Sequence, residues 1–190
     1  KILDELKNWD YLLIKGNHED ILGDILAGKT NISTITAKYG SGHKKAIELL
    51  SQDQIDILCK APTKLKLEID NLKILMCHGS PWSTSFYIYP DSSREIMAKC
   101  EQSDADIILL GHSHYAFFHN GNQNILINPG SVGQNRSIGG IASWAIINTD
   151  NRSLQIKATP YEIEYLIEEI ESIDSHIPYL KEILTRNRKL

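Results

Sequence analysis

The sequence predicts an α/β fold, and three observations carry that expectation. Aliphatic runs at Tyr11-Leu12-Leu13-Ile14, Leu72-Lys73-Ile74-Leu75-Met76-Cys77 and Ile107-Ile108-Leu109-Leu110 read as buried strands. Each is followed by a glycine-bearing turn that carries histidine: Gly16-Asn17-His18-Glu19, His78-Gly79 and Gly111-His112-Ser113-His114. Stretches with helical spacing separate the runs. Ligands of such sheets bind outside the carboxyl ends of the strands. Asn17, His18, His78, His112 and His114 are therefore expected along one edge, converging on a shared centre.

Taken in order, Lys1 to Trp9 fits the end of an amphipathic helix, and the first apolar run is expected as a strand. Residues 20–40 give no clear pattern, with Thr and Ile crowded around Asn31 to Thr36. Ser41 to Leu50 reads as a helix, and Ser51 with Gln54 forms a capping box for another that stops before Pro62. Leu65, Leu67 and Ile69 alternate with charges, the pattern of a half-buried strand, and Asp70-Asn71 turns it into the next. A loop over 80–90 carries Trp82, Phe86, Tyr87 and Tyr89, expected mainly to pack onto the core. A helix near Ser92 to Glu101 follows. Short strands are expected at 115–119, 124–128, 141–148 and 153–158, then a helix started by Thr159-Pro160-Tyr161-Glu162. Arg186, Arg188 and Lys189 are expected to close it, with glutamates 162, 164, 168, 169 and 171 on its solvated face.

Length suits one domain over 1–190. A formal net charge of −4 argues against gripping extended nucleic acid, and small anionic substrates stay open because a metal can supply local positive charge. Cys59, Cys77 and Cys100 form no Cys-x-x-Cys pair, which speaks against a disulfide framework or thiolate zinc site and points to a reducing, cytoplasmic setting. No apolar stretch is long enough to span a bilayer. The oligomeric state is not legible.

Imidazole and amide oxygen suit Mn, Fe, Zn and related ions. His112 and His114, two apart in what should be extended backbone, are expected to point the same way. The ordered set Gly-Asn-His-Glu, His-Gly and Gly-His-Ser-His, with the later Asn128-Pro129-Gly130-Ser131-Val132-Gly133, resembles the calcineurin-like metallophosphoesterase superfamily and its small prokaryotic phosphodiesterase branch, over roughly residues 10 to 150. The resemblance implies a two-sheet sandwich flanked by helices and two divalent ions (Mn, Fe, Zn or Ni). It makes Asn17, His78 and His112 ligands of one ion, His114 a ligand of the other, and His18 a catalytic group facing the phosphate. The implied chemistry is hydrolysis of a small phosphodiester or phosphomonoester by metal-activated hydroxide.

The sequence departs from that pattern. The family opens with Asp-x-His after its first strand and Gly-Asp after its second, and neither stands before Asn17. Asp174-Ser175-His176 and Gly23-Asp24 have the letters in the wrong order and are read as decoys. The chain is therefore expected to be N-terminally incomplete, without the opening strands, and in this form to bind metal weakly and be nearly inactive. The alternative is a non-catalytic scaffold of this shape acting as a protein-interaction module. Asn135 stands where the branch often has proline before Arg136.

Rival motifs fare worse. Gly23 to Thr30 matches the P-loop letters, but no strand leads into it and the β-branched residues after Thr30 make a poor helix start. Ser131 lacks the glycine context of a nucleophile elbow. Cys77 and His78 should face opposite sides of their strand. His43, His119 and His176 read as solvated.

Overall fold

Residues 1–187 are described by a computed structural model. Helix α1 (Ile2–Leu6) is followed by α2 (Asn17–Leu26), α3 (Ile32–Tyr39), α4 (Gly42–Leu49) and α5 (Gln52–Lys60). The strand β1 (Lys64–Ile69), strand β2 (Leu72–Cys77), helix α6 (Arg94–Glu101) and strand β3 (Ile107–Leu109) come next. Four strands, β4 (Ala116–Asn120), β5 (Ile125–Pro129), β6 (Ile141–Asn148) and β7 (Ser153–Pro160), lead to α7 (Glu164–Ile173) and α8 (Pro178–Thr185).

Five strands form one sheet in the order β1-β2-β3-β5-β4, and β6-β7 form a second. Asp70 and Asn71 both take positive φ, 51° and 61°, which closes the antiparallel β1–β2 hairpin tightly. Strand β3 runs parallel to both β2 and β5, so the carboxyl ends of these three neighbours lie on one edge. On one face of the sheet Leu75, Cys77, Ile108 and Leu126 pack with Met97 and Cys100 of α6. On the other, Ile74, Ile107 and Ile127 meet Ile147 and Leu154 of the second sheet. Ile108 and Leu126 have no exposed surface. Truncating either to Ala would cost about 2–5 kcal/mol. The architecture is thus α/β, a multi-strand sheet flanked by helices.

Four expectations need correction. Tyr11 to Ile14 is not a strand: no neighbouring strand pairs with it among the described residues, and hydrophobicity cannot substitute for a ladder. The β-branched segment after Thr30 is helix α3, because the Asn31 side chain accepts from Ser33 N–H at 2.8 Å and Ile35 is buried; cap and packing outweigh intrinsic propensity. His112 and His114 are not extended but left-handed, with φ 60° and 59°. Thr159 and Pro160 end β7 rather than begin a helix, since they pair with Ala142 and Ile141, and α7 starts at Glu164 without a side-chain cap. Its predicted solvated glutamate face is exposed, opposite Leu166, Ile167 and Ile170. Arg186 caps α8, and the expectation for Arg188 and Lys189 lies outside the described residues. Among those described, no helix is long and apolar enough to cross a membrane.

Candidate functional site

The sheet edge delivers two histidines side by side. His78 follows the last residue of β2, and His112 follows β3 after two residues, Leu110 and Gly111, with Gly111 N–H donating to His78 carbonyl at 2.7 Å. Helix α2 brings Asn17 and His18 at its first two positions, with Gly16 as the N-cap. The result is a tight convergence: His78 Nε2 lies 3.0 Å from Asn17 Oδ1 and 3.1 Å from His112 Nδ1. His114 lines the same cleft, which holds about 320 Å³ and is walled by Tyr87, Arg136 and Tyr179 as well.

Backbone carbonyls only accept, so they fix which ring nitrogen carries a proton. His112 Nε2–H donates to Ser85 carbonyl at 3.2 Å, leaving the Nδ1 lone pair toward His78. His114 Nδ1–H donates to Gln134 carbonyl at 3.0 Å, leaving its Nε2 free of that proton. This is the outer hydrogen bonding that orients metal-binding imidazoles. Burial pushes the His78 imidazole down to about 4, assisted by neighbouring His112. His114 is also pushed down to about 4, by burial first and then by Arg136. His112 is lowered by burial against a raising hydrogen bond to Ser85. All three favour the neutral form that binds cations.

Asn17 Oδ1 and His112 Nδ1 lie 3.0 and 3.1 Å from His78 Nε2. Octahedral ligands at about 2.1 Å from a metal sit about 3 Å from each other, the spacing His78 Nε2 keeps to its two partners. For a second ion, the cleft lining offers His114 and no Asp or Glu among the described residues. No three of His, Cys, Asp and Glu among them are grouped to hold a cation.

His18 is partly exposed at the cleft wall, its pKa lowered by burial of the ring and by His43. The His18 and His43 rings stack with centroids 5.2 Å apart, and His43 Nε2 donates to His18 carbonyl at 3.3 Å. His43, expected to be solvated, is buried; it faces α2 from α4, a packing that no local pattern announced. His176 is exposed as expected, while His119 lies 3.5 Å from Glu101 carboxylate.

A family model of the calcineurin-like phosphoesterase superfamily domain matches residues 1–152. The chain belongs to that superfamily. An uncharacterized protein of Methanocaldococcus jannaschii is 26% identical over 186 aligned positions, covering 87% of this chain and 71% of that one. The crystal structure of a hypothetical protein from Pyrococcus horikoshii superposes with TM-score 0.76 at 17% identity, over 100% of this chain and 79% of its own. A metallophosphoesterase from Sphaerobacter thermophilus gives 0.67 at 21% identity, over 88% and 75%. Both share this chain's fold.

Other residues settle into supporting places. Trp82 and Phe86 pack against the core as expected, whereas Tyr87 lies on the His112 ring with centroids 3.9 Å apart. Asn128 is fully buried; its Nδ2 donates to Gly111 carbonyl at 2.7 Å and to Ser113 Oγ at 3.0 Å, and its Oδ1 accepts from Gly130 N–H at 2.9 Å. It thereby ties β5 to the left-handed turn that presents His112. Ser131 Oγ accepts from Gly133 and Gln134 N–H, the job of a turn residue. Burial pushes the Cys77 thiol up to about 12, leaving it no thiolate near neutrality. The P-loop letters fall on the end of α2, where Lys29 pairs with Asp24, and no strand precedes them. Gly23-Asp24 lies on that same helix, and Asp174 accepts from Ser41 N–H and Oγ, so neither decoy reaches the site.

Proposed function

We propose that this chain hydrolyses a phosphoester of a small molecule, weakly as expected without the Asp-x-His and Gly-Asp ligands, with a divalent cation at Asn17, His78 and His112. The observation that carries the reading is the pair of anchored tautomers: carbonyl partners at Ser85 and Gln134 leave His112 Nδ1 and His114 Nε2 as lone pairs at the cleft. A bound cation would supply positive charge against the phosphoryl oxygens and make a water acidic enough to attack phosphorus. The protein's own contribution is placement. The αL turn after β3, pinned by Asn128, holds the His112 ring against His78. His18, held from behind by His43, faces the cleft from α2 and donates to a phosphoryl oxygen or to the departing ester oxygen. Water's oxygen bonds to phosphorus as the ester P–O bond breaks, and the leaving oxygen takes up a proton.

The test is a titration of the protein with Mn²⁺, followed by assays on bis(p-nitrophenyl) phosphate and p-nitrophenyl phosphate. Binding at one site, abolished by His78→Ala and by His112→Ala, with turnover lost in parallel, is the expected result. Ion binding without turnover of either ester would favour a non-catalytic scaffold. No ion uptake at micromolar to millimolar Mn²⁺ would end the metal reading.

A further inference from the structure

Arg136 stands out among the cleft residues. It is half-buried, its Nε donates to Tyr179 hydroxyl at 3.3 Å, and its guanidinium carbon lies 5.4 Å from the Tyr87 ring centre. Among the described residues no carboxylate pairs with it. A chain with 24 acidic against 20 basic residues has many carboxylates to offer, yet among the described residues none lines this cleft, while Lys38 sits at its rim. A partly desolvated guanidinium without a counter-ion is costly unless an anion arrives.

The loop that carries Arg136 is built to hold it there. Asn135 is buried, donates from Nδ2 to Ser143 Oγ at 2.6 Å, and accepts at Oδ1 from the N–H groups of Ser137 and Ile138. Arg136 N–H itself donates to His114 carbonyl at 3.2 Å, so the arginine is tied directly to the histidine turn. Tyr87 bridges the remaining gap, touching His112 with one part of its surroundings and Arg136 with another. The arginine therefore stands one aromatic ring away from the proposed cation site.

We infer that Arg136, with Lys38 at the rim, forms a second anion subsite, and that the substrate is a phosphoester bearing a second phosphate-like group. This rests on the phosphoesterase reading for its first subsite only. One group sits at the histidines, and the second is held by the guanidinium fork, whose planar donors match phosphate oxygens.

The experiment measures binding of pyrophosphate and of orthophosphate to the intact protein by calorimetry, with and without Mn²⁺, so that the histidine subsite is read apart from Arg136. The expected result is at least tenfold tighter binding of pyrophosphate, a preference that Arg136→Gln removes and Lys38→Gln weakens about threefold. Both effects should shrink as salt rises from 50 to 500 mM. Equal binding of the two anions by the unaltered protein, or a preference that survives both substitutions, would overturn the subsite. Should Arg136→Gln fail to fold, Arg136→Lys and Lys38→Gln carry the same test, since Lys keeps the charge and loses the fork. Loss of turnover with this preference intact would sink the phosphoesterase reading and leave the anion subsite standing.

Discussion

Gly16 lies directly beneath the His78 imidazole: a Cβ at that position would stand 2.7 Å from both Cε1 and Nε2 of the ring. Its φ of −107° is open to any residue, so the demand for glycine comes from the neighbour rather than from the backbone. The obstructed atoms belong to a side chain that can swing aside. Gly16→Ala should therefore move His78 away from Asn17 and His112 while costing at most about 1 kcal/mol of stability. Mn²⁺ affinity should fall 10- to 100-fold, the range seen when support of a metal ligand is disturbed. Calorimetric titration beside a thermal melt checks both halves; unchanged affinity would contradict the placement.

Asn128 supports a second prediction. Its amide donates twice and its carbonyl accepts once inside a fully buried pocket. In Asn128→Asp the donor becomes an acceptor facing Gly111 carbonyl, and the new charge is desolvated. The substitution should destabilise the fold by on the order of 3 kcal/mol. It should also loosen the left-handed turn before His112, so residual folded protein should bind Mn²⁺ less tightly. Denaturant midpoints and ion titration measure the two effects separately.

Much of this arrangement was legible in the sequence, for a physical reason. Parallel strands place their carboxyl ends together, so His78 and His112 could be assigned to one edge from the aliphatic runs before them. What escaped was set by contacts between distant segments. His43 gave no local sign of stacking on His18, and Arg136 and Tyr179 meet across 43 residues. Backbone handedness also escaped: an alternating His-Ser-His suggests extended chain, whereas both histidines are left-handed in a turn that Asn128 bonds through Gly111 and Ser113. The first apolar run looked like a strand because composition reports burial tendency and is silent on whether a neighbour exists to complete the ladder.

Protonation gives a third prediction. His78 and His114 are each held near 4 in the folded chain, against 6.5 for an ordinary histidine. Between those values the unfolded chain binds more protons than the folded one, so stability rises with pH through that window. The contribution is complete above about 6.5 and lost as pH falls toward 4. Allowing for partial exposure of the rings, each histidine should account for on the order of 2 kcal/mol. Melts in the presence of chelator should weaken steadily from pH 7 to 5, and His114→Gln should flatten that slope. A pH-independent melting temperature across this range would refute the burial argument.

His18 supplies the last prediction, which separates proton donation from simple charge stabilisation. Its ring reaches the cleft beside the Asn17 donor, with His43 stacked behind it, and both burial and His43 lower its pKa. A residue that protonates the leaving oxygen matters most when that oxygen is basic. p-Nitrophenolate departs without help, whereas an alkoxide does not. His18→Gln keeps a hydrogen-bond donor and removes the titrating proton. It should lower kcat on an alkyl phosphodiester by 10²- to 10⁴-fold, the usual contribution of a positioned acid. On bis(p-nitrophenyl) phosphate the loss should be about tenfold, reflecting the weaker hydrogen bond alone. His43→Ala should give a smaller version of the same contrast in kcat, with KM nearly unchanged, because it acts only through the ring it supports. Equal losses on both leaving groups would assign His18 to phosphoryl-oxygen stabilisation instead.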